Sequence, residues 1–413
     1  MKTLEQMGSA AKSAAAVLAV ASSETKNKIL LLAADMLQKS EAELIKENEK
    51  DIANGRAAGL TDALIDRLRL TPQRITDMAT GLREIANETD PVGEVVEGVT
   101  RPNGMRISKI RVPLGVVGII YEARPNVTAD AFGICLKAGN TVILRGGKEA
   151  IFSNLAIIKI LKKAVSDVGL PEGTVDLVRD TTRQSANELM KLKYLDLLIP
   201  RGGASLIRAT VENATVPVIE TGVGNCHAFV DESANLDMAV SIVENGKCQR
   251  PSVCNALETL LVHKKVAEKF LPLINNAFKK HNTKILGCKS TCEILKDATP
   301  ATEEDYDTEF LDYVIAVKVV ESLDDAINHI RKYSTGHSEC IVTESYKNAE
   351  MFVNSIDSAA LYVNASTRFT DGGQFGMGAE IGISTGKLHA RGPMGIRDLT
   401  TVKYIVRGDG QIR

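Results

Sequence analysis

The sequence lacks a strong net charge and a long apolar run. Its 50 basic and 52 acidic residues leave a formal net charge of −2 over 413 residues, so its charge favours neither nucleic acid nor an anionic membrane surface as a partner. Beyond an Ala-rich stretch near the N-terminus, the longest apolar run covers residues 112–120. A membrane helix needs roughly 20 such residues. The sequence therefore predicts a protein without a membrane span or a nucleic-acid partner.

The sequence also lacks a cysteine framework. Its seven cysteines are odd in number and do not show the paired spacing of a zinc site or of a secreted disulfide scaffold. Reduced thiols, a cytoplasmic location and no bound metal are the expectation. The Ala-rich residues 13–22 have the length of a signal-peptide core, but Glu5 and Lys12 place charges beside them. We interpret this stretch as an N-terminal helix.

Helical periodicity dominates the first hundred residues. Residues 29–37 place an apolar face on a helix for which Ser23 is the predicted cap. Thr71 followed by Pro72 is a cap and first-turn pair that predicts a second helix through residues 74–86. This region is predicted to be a helical lead-in to the domains that follow.

The dipeptide Asn103-Gly104 predicts the turn of a β-hairpin over residues 95–113, as an extended arm or as a surface hairpin. After it, short apolar runs alternate with helical segments, which is typical of parallel sheets with crossover helices. The strand candidates are residues 116–120, 141–144, 175–178, 195–199, 216–219, 228–230, 258–263, 314–320, 340–342, 361–363 and 400–406.

The six-residue Rossmann glycine fingerprint is missing, but a double glycine follows one strand candidate. Gly202 and Gly203 lie between the run 195–199 and the helical stretch 206–211. Such a turn lets amide groups at a helix N-terminus approach a pyrophosphate. The alternative is a tight turn without a ligand.

A second double glycine, Gly146-Gly147, lies between Arg145 and Lys148 after the strand candidate 141–144. A carboxylate at such a place suits the ribose of NAD, whereas cations suit the 2′-phosphate of NADP. The two cations, Arg145 and Lys148, therefore indicate NADPH as the cofactor. The alternative is that both cations are solvated loop charges.

Cys254 is the candidate nucleophile. It lies in the segment QRPSVCN, residues 249–255, which leads into the strand candidate 258–263. A cysteine reacts as a thiolate, which nearby cations such as Lys247 and Arg250 would favour. The alternative is a buried and inert thiol. Cys226 and Cys248 lie near site segments and receive no role.

Several motifs resemble the aldehyde dehydrogenase superfamily in type and order: PLGVVG at 113–118, AGNTV at 138–142, Glu220 with Gly222 and Gly224, and then Cys254. Within that superfamily, longer segments resemble the gamma-glutamyl phosphate reductase family. They are IIYEARPNVT at 119–128, ETGVGNCH at 220–227, QRPSVCN at 249–255, GHSE at 336–339, FGMGAEIGIST at 375–385 and LHARGPMG at 388–395.

The resemblance implies an α/β, aldehyde dehydrogenase-like fold with three parts. Residues 1–95 and 118–253 would form a Rossmann-type cofactor domain with the helical lead-in, and residues 254–390 a smaller α/β catalytic domain. Residues 96–117 and 391–413 would form a β-arm. Since an arm strand offers free backbone groups to another sheet, the arm implies a homo-oligomer.

The resemblance also implies a reaction. Cys254 would attack the acyl phosphate of gamma-glutamyl 5-phosphate and form a thioester, which NADPH reduces to glutamate-5-semialdehyde. This is the second step of proline biosynthesis from glutamate. Asn126 and the backbone N–H of Cys254 are the candidate oxyanion donors. Arg124 falls where the superfamily has its oxyanion asparagine, and would hold the oxyanion, the phosphate or the carboxylate.

Further roles follow from the same resemblance. Glu220 matches the general base of the oxidising members, and here would be structural or assist phosphate attack in the reverse direction. Glu309 would bind the nicotinamide ribose. His337, Gly378 and Ser384 are candidate substrate contacts, the last two for the α-carboxylate. His227 is interpreted as a core residue.

Two other readings stay open. One keeps Cys254 but oxidises an aldehyde by hydrolysis, which would make Glu220 indispensable. The other is an inactive homologue that binds a partner, for which the upstream glutamate 5-kinase is a candidate because acyl phosphates are labile.

Overall fold

The computed structural model describes residues 2–413, apart from the side chain of Ala63. Its helices are α1 (Leu4–Leu18), α2 (Ser23–Lys39), α3 (Glu41–Ala57), α4 (Asp62–Leu68), α5 (Pro72–Asn87), α6 (Asn126–Lys137), α7 (Ile151–Asp167), α8 (Arg183–Met190), α9 (Ala204–Asn213), α10 (Leu236–Cys248), α11 (Lys264–Lys279), α12 (Lys289–Ile294), α13 (Glu303–Tyr306), α14 (Leu323–Tyr333) and α15 (Tyr346–Ser355).

The strands of the same range are β1 (Val95–Thr100), β2 (Arg106–Pro113), β3 (Val116–Tyr121), β4 (Thr141–Gly146), β5 (Val175–Leu177), β6 (Leu197–Arg201), β7 (Cys226–Val230), β8 (Leu257–His263), β9 (Lys284–Gly287), β10 (Thr299–Pro300), β11 (Val314–Val320), β12 (Ser338–Val342), β13 (Ala360–Val363), β14 (Ile383–Ser384), β15 (Gly392–Pro393) and β16 (Thr400–Arg407). The helices of residues 2–413 do not combine the length and the apolar character needed to cross a lipid bilayer.

The chain divides into two compact units. The first contains the residues up to Thr221 together with Gly376–Gly382 and Met394–Arg413, and the second contains Gly222–Phe375 and Ile383–Pro393. The sequence placed residues 222–253 with the cofactor domain. In the structure they belong to the second unit, because β7 pairs in parallel with β8 and β12 of that unit.

The first unit contains a four-stranded parallel sheet in the order β5-β4-β3-β6. Every residue of β3 is buried, as expected for a strand with both faces covered. The chain runs from β3 outward through β4 and β5, and then returns to place β6 on the other side of β3. The strand order thus reverses between β3 and β6, and ligands bind at such switch points outside the carboxyl ends of the strands.

The predicted helical lead-in is confirmed, with one change at a cap. The side chain of Ser22, not that of Ser23, accepts the hydrogen bond from the N–H of Thr25 at the start of α2. The capping residue is the one that precedes the first helical residue, and Ser23 is itself the first residue of α2. Thr71 caps α5 and Pro72 opens it, as predicted.

The strand candidate at residues 216–219 is wrong. These residues make one parallel bridge, between Leu198 and Val218. Pro217 accepts a bond from the N–H of Leu198 but has no N–H of its own, so a regular ladder cannot continue through it.

The predicted hairpin is confirmed. β1 and β2 are antiparallel, and Gly104 adopts a φ of 89° in the turn between them. β2 also pairs along its whole length with β16, which gives a three-stranded sheet in the order β1-β2-β16. The strand at the C-terminus therefore joins the hairpin in one antiparallel sheet of the first unit.

The second unit contains a seven-stranded sheet in the order β10-β9-β11-β8-β7-β12-β13, with every neighbouring pair parallel. The side chains of β7, β8 and β12 are all buried. Two parallel sheets with intervening helices confirm the predicted α/β class.

Candidate active site

Cys254 lies on the loop between α10 and β8 of the second unit, and its side chain is partly buried. This loop, residues 249–256, is called the nucleophile loop because it carries the candidate nucleophile. The thiol of Cys226, the first residue of β7, donates a hydrogen bond to the carbonyl oxygen of Cys254 over 3.1 Å. A Cβ atom added at Gly224 would lie 1.5 Å from the same oxygen. Only glycine therefore permits this approach of the ETGVGNCH segment to the nucleophile loop.

The residue after Cys254, Asn255, is held by a separate segment of the chain. The hydroxyl of Thr367 donates to the carbonyl oxygen of Asn255 over 2.7 Å, and the Asn255 amide donates to the carbonyl of Thr370 over 2.9 Å. Asn255 and Thr367 are both buried. The main chain of Cys254 and Asn255 is thus held by hydrogen bonds from separate segments, which favours a defined position for the thiol.

The structure changes the predicted electrostatics of the thiol. Lys247 Nζ lies 2.5 Å from the Glu258 carboxylate, and both side chains are fully buried. The charge of Lys247 is therefore compensated inside the unit, which corrects the prediction that it supplies positive field to Cys254. Arg250 is exposed in the nucleophile loop and stays a candidate for that role.

Glu309 lies beside Gly224 in the ETGVGNCH segment. Its carboxylate accepts a hydrogen bond from the N–H of Gly224 over 2.7 Å, and burial raises its pKa although that bond and Lys247 oppose the shift. Since a carboxylate accepts several hydrogen bonds, Glu309 retains capacity for a ribose hydroxyl.

His337 is fully buried in the second unit, where its Nδ1 lies 2.8 Å from the Ser338 hydroxyl and 3.7 Å from the Cys226 sulfur. Burial lowers its pKa to about 4, so the ring is neutral at pH 7. The sequence motif GHSE thus brings a histidine next to the thiol that holds the Cys254 loop, although Cys226 itself received no role from the sequence. His227 is buried against Glu339, as expected of a core residue.

Gly378 and Ser384 fall into different units. Gly378 has a φ of 67°, and an added Cβ atom would lie 2.3 Å from the carboxylate of Glu88 in the first unit. Ser384 is buried in β14 of the second unit, where its hydroxyl accepts the N–H of Gly386 over 3.1 Å. The two residues predicted to contact an α-carboxylate thus belong to different units.

Both double glycines lie at the carboxyl ends of the strands around the switch point between β3 and β6 of the first unit. Tyr121 pairs with Gly146 on one side and with Arg201 on the other, so the two glycine turns flank the residue after it, Glu122. The Glu122 carboxylate accepts the N–H of Gly203 over 3.0 Å. The sequence did not single out Glu122, although an acidic residue directly after a buried strand was a signal for it.

An added Cβ atom at Gly202 would lie 2.6 Å from the Glu122 carboxylate carbon, and one at Gly147 would lie 2.5 Å from a carboxylate oxygen of Glu149. These glycines therefore leave room for polar groups at the sheet edge. Gly203 is the N-cap of α9 without a capping side chain, and the first amides of a helix have no acceptor within it.

The two predicted cofactor cations differ in their surroundings. The guanidinium of Arg145 donates to the carbonyls of Thr181 and Thr182 over 2.6 and 2.9 Å, and burial lowers its pKa. Lys148 is exposed at the start of a short 3-10 turn. Arg145 thus supports a neighbouring loop, while Lys148 extends to solvent.

Asn126 is the first residue of α6 and is exposed. Its amide donates to Asp130 over 2.9 Å, and burial raises the pKa of that aspartate to about 6. Arg124 and Glu220 are also exposed. The described residues contain no cluster of three or more His, Cys, Asp or Glu side chains placed to hold a metal ion.

Comparison with known proteins agrees with the motifs. The model of the aldehyde dehydrogenase family matches residues 1–293. The gamma-glutamyl phosphate reductase of Caldanaerobacter subterraneus subsp. tengcongensis is 58% identical over 404 residues, which cover 98% of each chain. That of Clostridium novyi is 57% identical over 409 residues, 99% of this chain and 98% of the relative.

Among solved structures, the crystal structure of gamma-glutamyl phosphate reductase from Thermotoga maritima superimposes with a TM-score of 0.97 at 50% identity, covering 100% of both chains. The predicted resemblance and the aldehyde dehydrogenase-like fold are confirmed. The chain therefore belongs to the aldehyde dehydrogenase family and, within it, to the gamma-glutamyl phosphate reductases.

Proposed function

We propose that the chain reduces gamma-glutamyl 5-phosphate to glutamate-5-semialdehyde and phosphate with NADPH, in the second step of proline biosynthesis from glutamate. The observation that carries the proposal is the partly buried Cys254, whose loop is held by hydrogen bonds from Cys226 to the Cys254 carbonyl and from Thr367 to the Asn255 carbonyl. The names of the relatives supply the substrate class.

The chemistry begins at Cys254. Its thiolate forms a bond to the acyl carbon while the carbon–oxygen bond to the phosphoryl group breaks. The electron pair leaves with the phosphate, which takes up a proton from water, and a thioester remains on the enzyme. A nicotinamide cofactor, when bound, supplies the hydride for reduction. The carbon–sulfur bond then breaks, Cys254 returns as a thiolate, and the released semialdehyde cyclises to a pyrroline.

The oxyanion that forms at the acyl carbon needs hydrogen-bond donors. The backbone N–H of Cys254 is the donor that the nucleophile loop offers. Asn126 remains a proposed second donor, although its amide already donates to Asp130 in the first unit. Arg124 is the alternative, for the oxyanion or for the substrate's carboxylate.

The switch point between β3 and β6 supports the cofactor proposal. Gly202 and Gly203 precede the N-terminus of α9, where backbone amides favour a pyrophosphate. Glu122 accepts one of these amides, so a bound pyrophosphate would use the amides that follow. We assign the 2′-phosphate to Lys148, because it is exposed.

The remaining cofactor residues have supporting roles. Gly146 and Gly147 would form the edge of the adenosine site, with Arg145 holding the adjacent loop through its bonds to the carbonyls of Thr181 and Thr182. Glu309 would bind the nicotinamide ribose. His337, Gly378 and Ser384 remain proposed substrate residues. Since His337 and Ser384 are buried, they would act by shaping the site behind its surface.

The test is an assay in the reverse direction, in which NADP⁺ is reduced with glutamate-5-semialdehyde and inorganic phosphate. We expect an absolute requirement for phosphate and complete loss of turnover in Cys254→Ala, with NADPH binding retained. Cys292→Ala, which changes another partly exposed thiol of the second unit, is the matched control and should keep activity. Retained turnover in Cys254→Ala would overturn the assignment of the nucleophile.

The same assay separates the proposal from aldehyde oxidation by hydrolysis. If NADP⁺ reduction proceeds without phosphate and the product is the free acid, the enzyme is a hydrolytic dehydrogenase and the proposal fails. Glu220→Gln gives an independent comparison, because a hydrolytic enzyme needs a general base to activate water. A phosphate-dependent enzyme has no such water, so we expect Glu220→Gln to keep turnover, in full if Glu220 is structural and in part if it assists phosphate attack.

The lability of acyl phosphates has a further consequence. We propose a cytoplasmic homo-oligomer that receives its substrate from glutamate 5-kinase by direct transfer. Transfer predicts that hydroxylamine, which traps free acyl phosphate, does not reduce the coupled rate of kinase and reductase. A coupled rate that falls with trapping would show that the intermediate passes through solution.

A further inference from the structure

Besides Arg250, which belongs to the nucleophile loop, a second arginine lies next to that loop. Arg368 belongs to the 3-10 turn Thr367–Phe369, which contacts Asn255 through the Thr367 hydroxyl at 2.7 Å. Its Nε donates to the Gln249 side chain over 3.1 Å. The turn therefore contacts the nucleophile loop on both sides of Cys254 and places the Arg368 guanidinium beside it.

Arg250 lies in the nucleophile loop, and its positive charge acts electrostatically on Arg368. Burial lowers the pKa of Arg368 and the positive charge of Arg250 lowers it further, whereas Asp371, Cys254 and Cys226 act in the opposite direction. Arg368 thus lies within electrostatic range of both Arg250 and the Cys254 thiol.

Asp371 is the acidic residue whose charge acts on Arg368, but neither arginine forms a salt bridge within the described part of the chain. Among the salt bridges of residues 2–413, such as the buried pair of Lys247 and Glu258, none includes Arg250 or Arg368. Arg368 is nevertheless half-buried, and burying a charge without a partner is costly. A pair of adjacent cations with this exposure is suited to a dianion from solvent.

We propose that Arg250 and Arg368 bind the phosphoryl group of the acyl phosphate and hold it as it leaves. A guanidinium presents parallel N–H donors that match two phosphate oxygens. With the phosphoryl group there, the acyl carbon lies toward Cys254. When the thiolate attacks, the bond between the acyl carbon and the bridging oxygen breaks. The released phosphate carries the electron pair and remains between the two cations.

This inference rests on the proposed function and adds a site to it. The same cations also favour the thiolate of Cys254, so the site serves two purposes. It activates the nucleophile before the substrate binds, and it stabilises the leaving group afterwards. The sequence suggested a field from Arg250 but gave no sign of Arg368, since that residue lies on a segment distant along the chain.

The first experiment measures the Michaelis constants for phosphate and for semialdehyde in the reverse assay. For Arg368→Gln and Arg250→Gln we expect the constant for phosphate to rise by about 10- to 100-fold, since each removes charged hydrogen bonds, while that for semialdehyde changes little. Arg368→Lys keeps the charge but loses the paired donors, and should lie between. Arg331→Gln, which changes an exposed arginine on α14, is the control for charge.

The second experiment needs no turnover. Inorganic phosphate should slow the alkylation of Cys254 by iodoacetamide in the wild-type protein, and should lose this effect in Arg368→Gln. Mass spectrometry of the labelled peptide identifies the thiol, and a thermal unfolding curve shows whether each variant is folded. An unfolded Arg368→Gln leaves the decision to Arg250→Gln and Arg368→Lys.

The outcomes separate this inference from the function on which it rests. If the wild-type enzyme requires phosphate but the variants keep its Michaelis constant and its protection of Cys254, the site is elsewhere and only the inference fails. If the wild-type enzyme works without phosphate, the proposed function itself fails.

Discussion

The thiol of Cys226 donates a hydrogen bond to the main-chain carbonyl of Cys254, with 3.1 Å between sulfur and oxygen. Burial raises the pKa of Cys226 well above its ordinary value, and Glu339 and Cys254 add to the shift. Cys226 therefore keeps its proton and acts as a donor. If Cys254 is the nucleophile, as we propose, Cys226 is the neighbouring thiol that holds its backbone in place.

Cys226→Ala should reduce both stability and turnover. It removes the donor to a carbonyl oxygen in the nucleophile loop, which costs about 1–3 kcal/mol of unfolding free energy, and it frees the Cys254 backbone to move. We expect kcat to fall while the Michaelis constant for NADPH is unchanged. Cys226→Ser, which keeps a donor, should recover part of the loss.

Cys340→Ala is the matched control for this pair. The Cys340 thiol is buried in β12 and donates to the carbonyl of Ala365, also over 3.1 Å. Its loss should lower stability to a similar extent without lowering kcat. Equal effects of Cys226→Ala and Cys340→Ala on kcat would show that Cys226 has no positioning role.

The buried pair of Lys247 and Glu258 gives a second prediction. Lys247→Met should lower the free energy of unfolding by about 3–5 kcal/mol, because it leaves a buried carboxylate without its partner. The double variant with Glu258→Leu should recover much of that loss, since it removes both charges. Urea unfolding at pH 7 measures both. A double variant as unstable as Lys247→Met alone would contradict this account of the pair.

The positions of strands and helices followed from the sequence because they depend on local patterns. The apolar runs of β3, β4 and β8 and the turn at Asn103-Gly104 are read from adjacent residues, and the structure confirms them. The strand prediction for residues 216–219 failed because an apolar run does not show whether its backbone N–H groups can pair. Pro217 has no backbone N–H.

The candidate site was less accessible to sequence reasoning. Cys254 stands in a recognisable motif, but its surroundings are built from distant segments: Cys226 on β7, Thr367 after β13, and Glu258 as the partner that neutralises Lys247. Such contacts arise from the order of strands in the sheet. A single sequence indicates that parallel strands exist but does not state which of them are neighbours.

Acid should destabilise the protein through two buried histidines. Burial first, and then His227, Lys318 and Lys332, lower the pKa of His329 to about 2, and burial lowers that of His337 to about 4. In the unfolded chain both rings take up a proton near pH 6.5. Their contribution is therefore complete above pH 6.5 and is lost as pH falls toward the folded-state values.

Below pH 6.5 each ring should cost about 1.4 kcal/mol of unfolding free energy per pH unit. Urea unfolding at pH 7.5, 6.5 and 5.5 measures this slope. His329→Phe keeps a ring of similar size without the ionisable group, so its stability should fall less steeply between pH 6.5 and 5.5. A slope identical to that of the wild-type protein would show that His329 does not contribute.

Lys148 should determine the preference for the cofactor phosphate. Lys148→Ala is expected to raise the Michaelis constant for NADPH by about tenfold, the effect of one charged hydrogen bond, and to leave that for NADH unchanged. Lys191→Ala, which changes an exposed lysine at the end of α8, is the control. An equal effect on both cofactors would place Lys148 away from the 2′-phosphate.

The three-stranded sheet β1-β2-β16 should form an interface between subunits. Every residue of β1 is exposed, including Val95, Val96 and Val99, and β1 lies at an edge of the sheet. An exposed apolar edge strand promotes association unless it is covered. Size-exclusion chromatography with light scattering should therefore give a multiple of the mass of one chain.

Replacing Val96 and Val99 by lysine should shift that mass toward a single chain, because charges at an edge oppose pairing with another strand. Val20→Lys places the same charge on a valine that is 84% exposed in the first unit, outside this sheet, and should leave the mass unchanged. A wild-type protein with the mass of one chain would contradict the prediction directly. If the Val96 and Val99 variant keeps its oligomeric mass, association uses another surface, and β1 is a plain surface hairpin.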